Sequence, residues 1–327
     1  MAAISLAKKS AVLYHYPCPD GAFAALAAHL YFSNTRLPVL FFPNTVYNPI
    51  TLDHLPLHQI SDLYLLDFIG PSGFVHQVSS KVNRVIVLDH HKTAVELLGI
   101  SDQKKNVNAV IDMERSGATI AFDYFKEKLL QTPNQNHIVT EFNRFRPLFD
   151  YIEDADLWRW RLQNSKAFSS GLKDLNLEFN VLLNPSLFHQ LLSLELESVI
   201  TQGLISLSVK QKLIDYTLDR SYEIALGGGA FGNCLAVNAD AVSELRSELG
   251  HQLAAKSHDL KLRAIGAVVY RIPELQNDQL LKISLRSLGN EDTTNISKEF
   301  GGGGHQNASS FMLSSAEFES WKVGKSA

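Results

Sequence analysis

Only two cysteines, Cys18 and Cys234, occur among 327 residues. So few imply no disulfide framework, and a reducing compartment, the cytoplasm by default, is the expected setting. An excess of one charge is missing too, since 30 lysines and arginines stand against 34 aspartates and glutamates. A protein that grips long duplex nucleic acid needs a strong positive field, so that class is disfavoured and small or short anionic ligands stay open. No apolar run reaches about 18 residues, which argues against a membrane-spanning helix. The opening MAAISLAKKS lacks the apolar core of a secretory leader, and a strand is expected from about Ala11. Repeats, low-complexity tracts and long charge runs are likewise absent.

What is present is apolar and periodic. A hydrophobic content of 45% over 327 residues is enough for two cores, so two domains are expected. In the first half, short apolar runs alternate with helical patterns: AVLYH, GAFAALAAHLYF, PVLFF, DLYLLDF, RVIVLD and SGATIAFDYFKEKLL. Strands alternating with helices predict an α/β domain built on a parallel sheet, here over residues 1–167. From Phe168 to Arg220 the pattern is helical and predicts a connector, residues 168–220. Residues 221–327 read as a smaller α/β domain: a glycine-turned hairpin in EIALGGGAFGNCLAVNAD, a helix in DAVSELRSELGHQLAAK, and antiparallel strands in RAIGAVVYRI and LLKISLRS.

The chemistry gathers at strand ends. AVLYH closes on His15, LYLLD on Asp67, and VIVLDHH on Asp89, His90 and His91. In a parallel sheet those ends share one edge, which is where open α/β sheets bind ligands. Asp20 lies in the tight loop HYPCPDG and joins the same candidates. Glu153, Asp154 and Asp156 crowd the segment YIEDADLWRW. One strand-end aspartate is commonly a helix cap, and one histidine is commonly a satisfied polar residue. Several carboxylates at one edge repel each other unless a cation neutralises them, so the joint pattern points to metal. Carboxylate and imidazole donors suit manganese, magnesium or iron better than a structural zinc site. Two such ions about 4 Å apart would activate water and stabilise an in-line displacement at phosphorus.

These residues resemble the DHH phosphoesterase superfamily, named for the triplet that stands here as Asp89, His90 and His91. YHYPCPDGAFAA is similar to its first motif, LLDF to its second, LDHH to its third and EDADLW to its fourth. FGGGGHQNASSF, preceded by ISLRS, is similar to the signature of the associated C-terminal domain. The resemblance covers nearly the whole chain in the right order.

It implies an N-terminal metal-binding domain, a C-terminal substrate-binding domain and an active site in the cleft between them. Asp67 would bridge two manganese-type ions, with magnesium as the alternative. His15 would serve one ion, and Asp20, His90 and Asp154 the other. Asp154 is preferred over Asp156 because the family's acid directly follows what is read here as an apolar strand end. Asp89 would orient the imidazoles, and His91 would face the scissile phosphate. Many members carry an aspartate where this chain has Cys18, which is therefore a further candidate ligand. Gly302, Gly303 and Gly304, with His305 and Arg286, would cradle a phosphate.

The implied activity is hydrolysis of phosphodiester bonds in short oligonucleotides or dinucleotides, giving mononucleotides. The alternatives are a phosphomonoesterase on bisphosphorylated nucleotides, a polyphosphatase, a single-strand exonuclease, or a nucleotide binder without turnover. The expected partner is a short nucleotide substrate rather than long duplex or membrane, with a homodimer left open.

Overall fold

The computed structural model describes residues 8–45, 47–100, 105–131 and 136–324. Residues 1–7, where no leader is expected, lie outside the described residues. The chain divides into two compact units, Met1–Ser206 and Leu207–Ala327.

In the first unit the elements run β1 (Lys9–His15), α1 (Pro19–Thr35), β2 (Val39–Asn44), β3 (Ile60–Leu66), α2 (Phe74–Ser79), β4 (Arg84–Asp89), α3 (Lys92–Ile100), β5 (Val107–Ile111) and α4 (Gly117–Leu130). Helices α5 (Asn136–Asn143), α6 (Arg146–Asp156), α7 (Ser165–Asp174), α8 (Leu187–Leu192) and α9 (Leu196–Leu218) follow, and α9 crosses the boundary between units. The expected connector, residues 168–220, is thus shared between the two units.

Five strands form a wholly parallel sheet in the order β2-β1-β3-β4-β5. Both faces are buried: Ala11, Leu13, Leu65 and Val87 pack on one side, while Tyr14, Tyr64 and Leu88 are equally enclosed. This is why the strands read as unbroken apolar runs rather than alternating ones. Helix α1 starts with Pro19 at its first turn and packs an alanine-rich stretch, Ala22 to Ala28, against α4. Its alanines are fully enclosed, letting the two helices approach closely.

The register decides where the chemistry goes. Tyr14 pairs with Leu66, and Leu66 with Leu88, so His15, Asp67 and Asp89 follow in one row at the carboxyl edge. The Asp67 amide continues the ladder by donating to Leu88 O at 2.8 Å.

The second unit contains β6 (Tyr222–Ala225), β7 (Asn233–Asn238), α10 (Arg246–Asp259), β8 (Ile265–Tyr270), β9 (Leu280–Ser287), α11 (Thr294–Glu299), β10 (Gly303–His305), β11 (Ala308–Ser314) and α12 (Ser315–Ser320). Its six-stranded mixed sheet is ordered β10-β11-β9-β8-β7-β6. The expected β6–β7 hairpin and antiparallel β8–β9 pair are both present, and β7 with β8 supplies the parallel pairing. Ile283, Leu285, Phe311 and Phe318 build the core on one face, and Leu249, Leu253 and Val268 bury α10 on the other. Among the described residues no helix is long and apolar enough to cross a membrane.

Candidate metal centre

Strands β1, β3 and β4 deliver His15, Asp67 and the Asp89-His90-His91 run to one edge, and the turn into α1 adds Cys18 and Asp20. Asp67 is the hub. His15 Nδ1 lies 3.1 Å from its Oδ2, His90 Nε2 3.2 Å from its Oδ1, and His91 Nδ1 3.7 Å from that same oxygen. His90 Nε2 also stands 3.6 Å from Asp20 Oδ2 and 3.6 Å from Asp156 Oδ2. Asp67 is 1% exposed and holds a left-handed backbone, φ 63°. A non-glycine residue there carries strain, of the kind that concentrates at functional sites.

Asp89 is fully buried and serves as a bracket. Its Oδ1 accepts from the His90 amide at 2.7 Å, the His91 amide at 3.2 Å and His91 Nδ1 at 2.8 Å. The turn between the two histidines is thereby fixed, as the outer partners of ligating imidazoles usually require. Asp20 is anchored differently. Its oxygens accept the first amides of α4, Gly117 N–H at 2.7 Å and Ala118 N–H at 2.9 Å. A carboxylate at that position also meets the positive end of the helix dipole.

The donors fit divalent cations. Three triads, His15-Cys18-Asp67, Asp67-His90-His91 and Asp20-His90-Asp156, each bring their ligand atoms within 4.8 Å of one another. Asp67 belongs to two of them and His90 to two. Asp67 Oδ1 is buried without a hydrogen-bond partner, an arrangement that is costly unless a cation supplies the missing contact.

Electrostatics say the same. Burial, then the charges of Asp67 and Asp156, drives the Asp20 carboxyl well above the carboxylate range. Burial pushes the Asp67 carboxyl up as well, but the hydrogen bond to His15 and the nearby His90 ring outweigh it and hold the group at about 2. The Cys18 thiol is pushed up to about 12 by burial and by Asp67 and Asp20. His91 is raised, chiefly by its bond to Asp89.

Asp154 is not among these donors, and Asp156 stands in its place. Asp154 Oδ1 accepts from the Arg161 amide at 3.0 Å and Oδ2 from the Leu162 amide at 3.2 Å, which commits the side chain to the loop after α6. Those amides and Ser165 overcome burial and hold its carboxyl low. The segment is the end of a helix rather than of a strand. The third acid of the cluster, Glu153, ties α6 to α4 by accepting from the Ser116 amide at 3.1 Å and from Thr119 Oγ1.

In the second unit, register places Arg286 opposite Ala308 and Ala308 opposite His305. Directly opposed residues share a face, so the arginine and histidine flank a small residue in one row. The glycines have structural duties. Gly301 and Gly302 donate their amides to Lys298 O at 3.0 Å and Ser297 O at 2.8 Å, closing α11. The Gly302 amide is therefore committed within the fold. A side chain at Gly302 would come within 2.1 Å of Ser310 O, and one at Gly304 within 2.5 Å of Ala308 O. Gly303 has open space around it.

No known family profile matches the sequence. An uncharacterized protein of Acanthamoeba polyphaga mimivirus is 26% identical over 325 residues, covering 93% of this chain and 67% of that protein. Among solved structures, the chain is similar to the pGpG-specific phosphodiesterase PggH of Vibrio cholerae (10% identity, 95% of each chain, TM-score 0.46). It is also similar to exonuclease RecJ bound to manganese (12% identity, 95% of this chain and 87% of that one, TM-score 0.43). An exopolyphosphatase-related protein from Bacteroides fragilis is a further likeness (14% identity, 93% and 86%, TM-score 0.34).

Proposed function

We propose that the protein is a DHH-type phosphoesterase that uses a divalent metal, manganese with magnesium as the alternative, to hydrolyse phosphodiester bonds in short oligonucleotides or dinucleotides. The observation that carries this reading is the set of overlapping donor triads joined by Asp67 and His90. His15, Cys18 and Asp67 would hold one ion, and Asp67, Asp20, His90 and Asp156 the other. When bound, such a pair lowers the pKa of water and neutralises charge on a phosphoryl group.

The chain's own residues do the remaining work. Asp89 fixes the backbone and ring of His91, and the resulting ion pair favours the protonated imidazole. A protonated His91 donates from both ring nitrogens, so one proton holds Asp89 and the other is free for a phosphate oxygen. Attack by water forms one phosphorus–oxygen bond as the ester bond to the leaving oxygen breaks, and the proton the water gives up passes to the departing alkoxide. Arg286 and His305, in one row of the second unit, offer hydrogen-bond donors suited to an anionic group.

The deciding experiment is hydrolysis of an aryl phosphodiester with manganese, against a chelated control, for wild type and His90→Ala. Wild type turns over only with metal, and His90→Ala loses at least about a hundredfold while keeping its fold. Full activity after exhaustive chelation sinks the proposal. A panel of short RNAs, dinucleotides, bisphosphorylated nucleotides and polyphosphate then separates the substrate classes.

A further inference from the structure

A cavity of about 550 Å³ in the first unit opens directly onto the metal donors, with Cys18, Asp20 and Asp156 in its wall. Most of the rest of the wall is apolar and aromatic, including Ile152, Phe168, Leu172, Leu177 and Phe179, with Ser169 and Asn176 as neutral polar residues. Its volume is in the range of small-molecule sites, and a few polar groups on an otherwise apolar lining is how such sites are usually built. Trp158 also lines it while 78% exposed, leaving a large ring face to solvent. Lys173, at the last turn of α7, is the one basic residue of the lining and has no ion-pair partner among the described residues.

We propose that this cavity binds the nucleobase of the nucleotide whose phosphate lies at the donor cluster. The inference rests on the phosphoesterase reading for the position of that phosphate. An apolar cavity next to anion-handling chemistry calls for a ligand that is planar and apolar at one end and phosphorylated at the other, which describes a nucleotide. Trp158 offers a stacking face, favourable for any base because every base has a π-face. The Lys173 ammonium reaches the ring's carbonyl or nitrogen acceptors as a hydrogen-bond donor. Phosphate-only substrates would leave the cavity unused, so the assignment favours nucleotides over polyphosphate.

AMP and ribose 5-phosphate differ only in the base, and calorimetric titration of each into the manganese-loaded protein reads the cavity without requiring turnover. AMP is expected to bind about tenfold or more tightly than ribose 5-phosphate. Trp158→Ala removes the stacking face, and Ser169→Trp fills the cavity from its wall. Each should bring the ratio of the two affinities toward one, with circular dichroism confirming the fold. A wild-type ratio near one, or a ratio that survives either substitution, overturns the assignment. A protein that keeps the ratio yet hydrolyses no phosphodiester would instead sink the phosphoesterase reading and leave the cavity assigned.

Discussion

Gly117 stands against Asp67 so closely that a methyl group added at the glycine would lie 2.7 Å from Asp67 Cβ and 3.0 Å from Asp67 Oδ1. The first turn of α4 can donate its amides to Asp20 and still pass behind Asp67 only because position 117 has no side chain. Gly117→Ala should therefore displace the hub carboxylate. We expect manganese affinity, measured by calorimetry, to fall by at least about tenfold, with overpacking costing about 1–3 kcal/mol. Unchanged affinity would show that α4 yields and that Asp67 is not held from that side.

Asp154 and Asp156 separate structure from chemistry within one helical turn. Asp156→Asn should cut metal-dependent turnover by at least about a hundredfold while leaving the metal-free melting temperature unchanged or raised, because it removes one of three crowded carboxylates. Asp154→Ala should do the reverse. It leaves the Arg161 and Leu162 amides without their acceptor and should cost about 1–3 kcal/mol of stability in denaturant titration, with metal affinity nearly intact.

That pair also marks how far the sequence could be read. The sheet was legible because a strand buried on both faces writes an unbroken apolar run, and three such runs end in ligand residues that register then aligns. Strand β5, VNAVI, leaves little trace in the sequence because it is short and its residues are largely exposed. The fourth segment resembles a strand end in YIE but is the end of a helix. Its helical pattern was nevertheless present: Phe149 and Ile152 are buried three apart, and Asp156 follows Ile152 by one turn on the same face. Gly117 left no such signal. Its role depends on how near α4 passes to Asp67, which one sequence does not encode in any periodicity.

Asp123 on α4 predicts an acid dependence away from the metal centre. Burial raises its carboxyl, but Arg146, Arg115 and Lys126 outweigh burial and hold it below the usual range. Arg146 Nη1 and Arg115 Nη2 approach its two oxygens at 2.8 and 2.7 Å. A folded-state pKa below the unfolded one adds stability above the unfolded value, about 3.9, and that stability is lost as pH falls through the folded value. Asp123→Asn should lower the melting temperature by about 2–4 °C at pH 7, and the gap should close below pH of about 4. A gap constant across that window would show that the arginines do not stabilise the charged form.

Arg286 tests what the second unit contributes. Its guanidinium is held by neutral acceptors, Ser284 Oγ at 3.1 Å, Leu285 O at 2.8 Å and Ser247 Oγ at 3.1 Å, none of which neutralises the charge. The side-chain stem packs under α10, where a methyl group at Gly250 would come within 2.7 Å of Arg286 Cγ. The arginine is thus positioned in advance, in the same row as His305. If it binds a part of the substrate remote from the scissile bond, its loss removes binding that a minimal substrate never used. For Arg286→Ala, kcat/KM on a dinucleotide should fall by about tenfold to a few hundredfold, the range for a charged hydrogen bond worth roughly 1.5–3 kcal/mol. The loss on a small aryl phosphodiester should be far smaller, and Arg286→Lys should restore only part of the difference because an ammonium lacks the fork. Equal losses on both substrates would mean that Arg286 acts at the scissile phosphate or supports the fold, and the assignment to remote binding would fall.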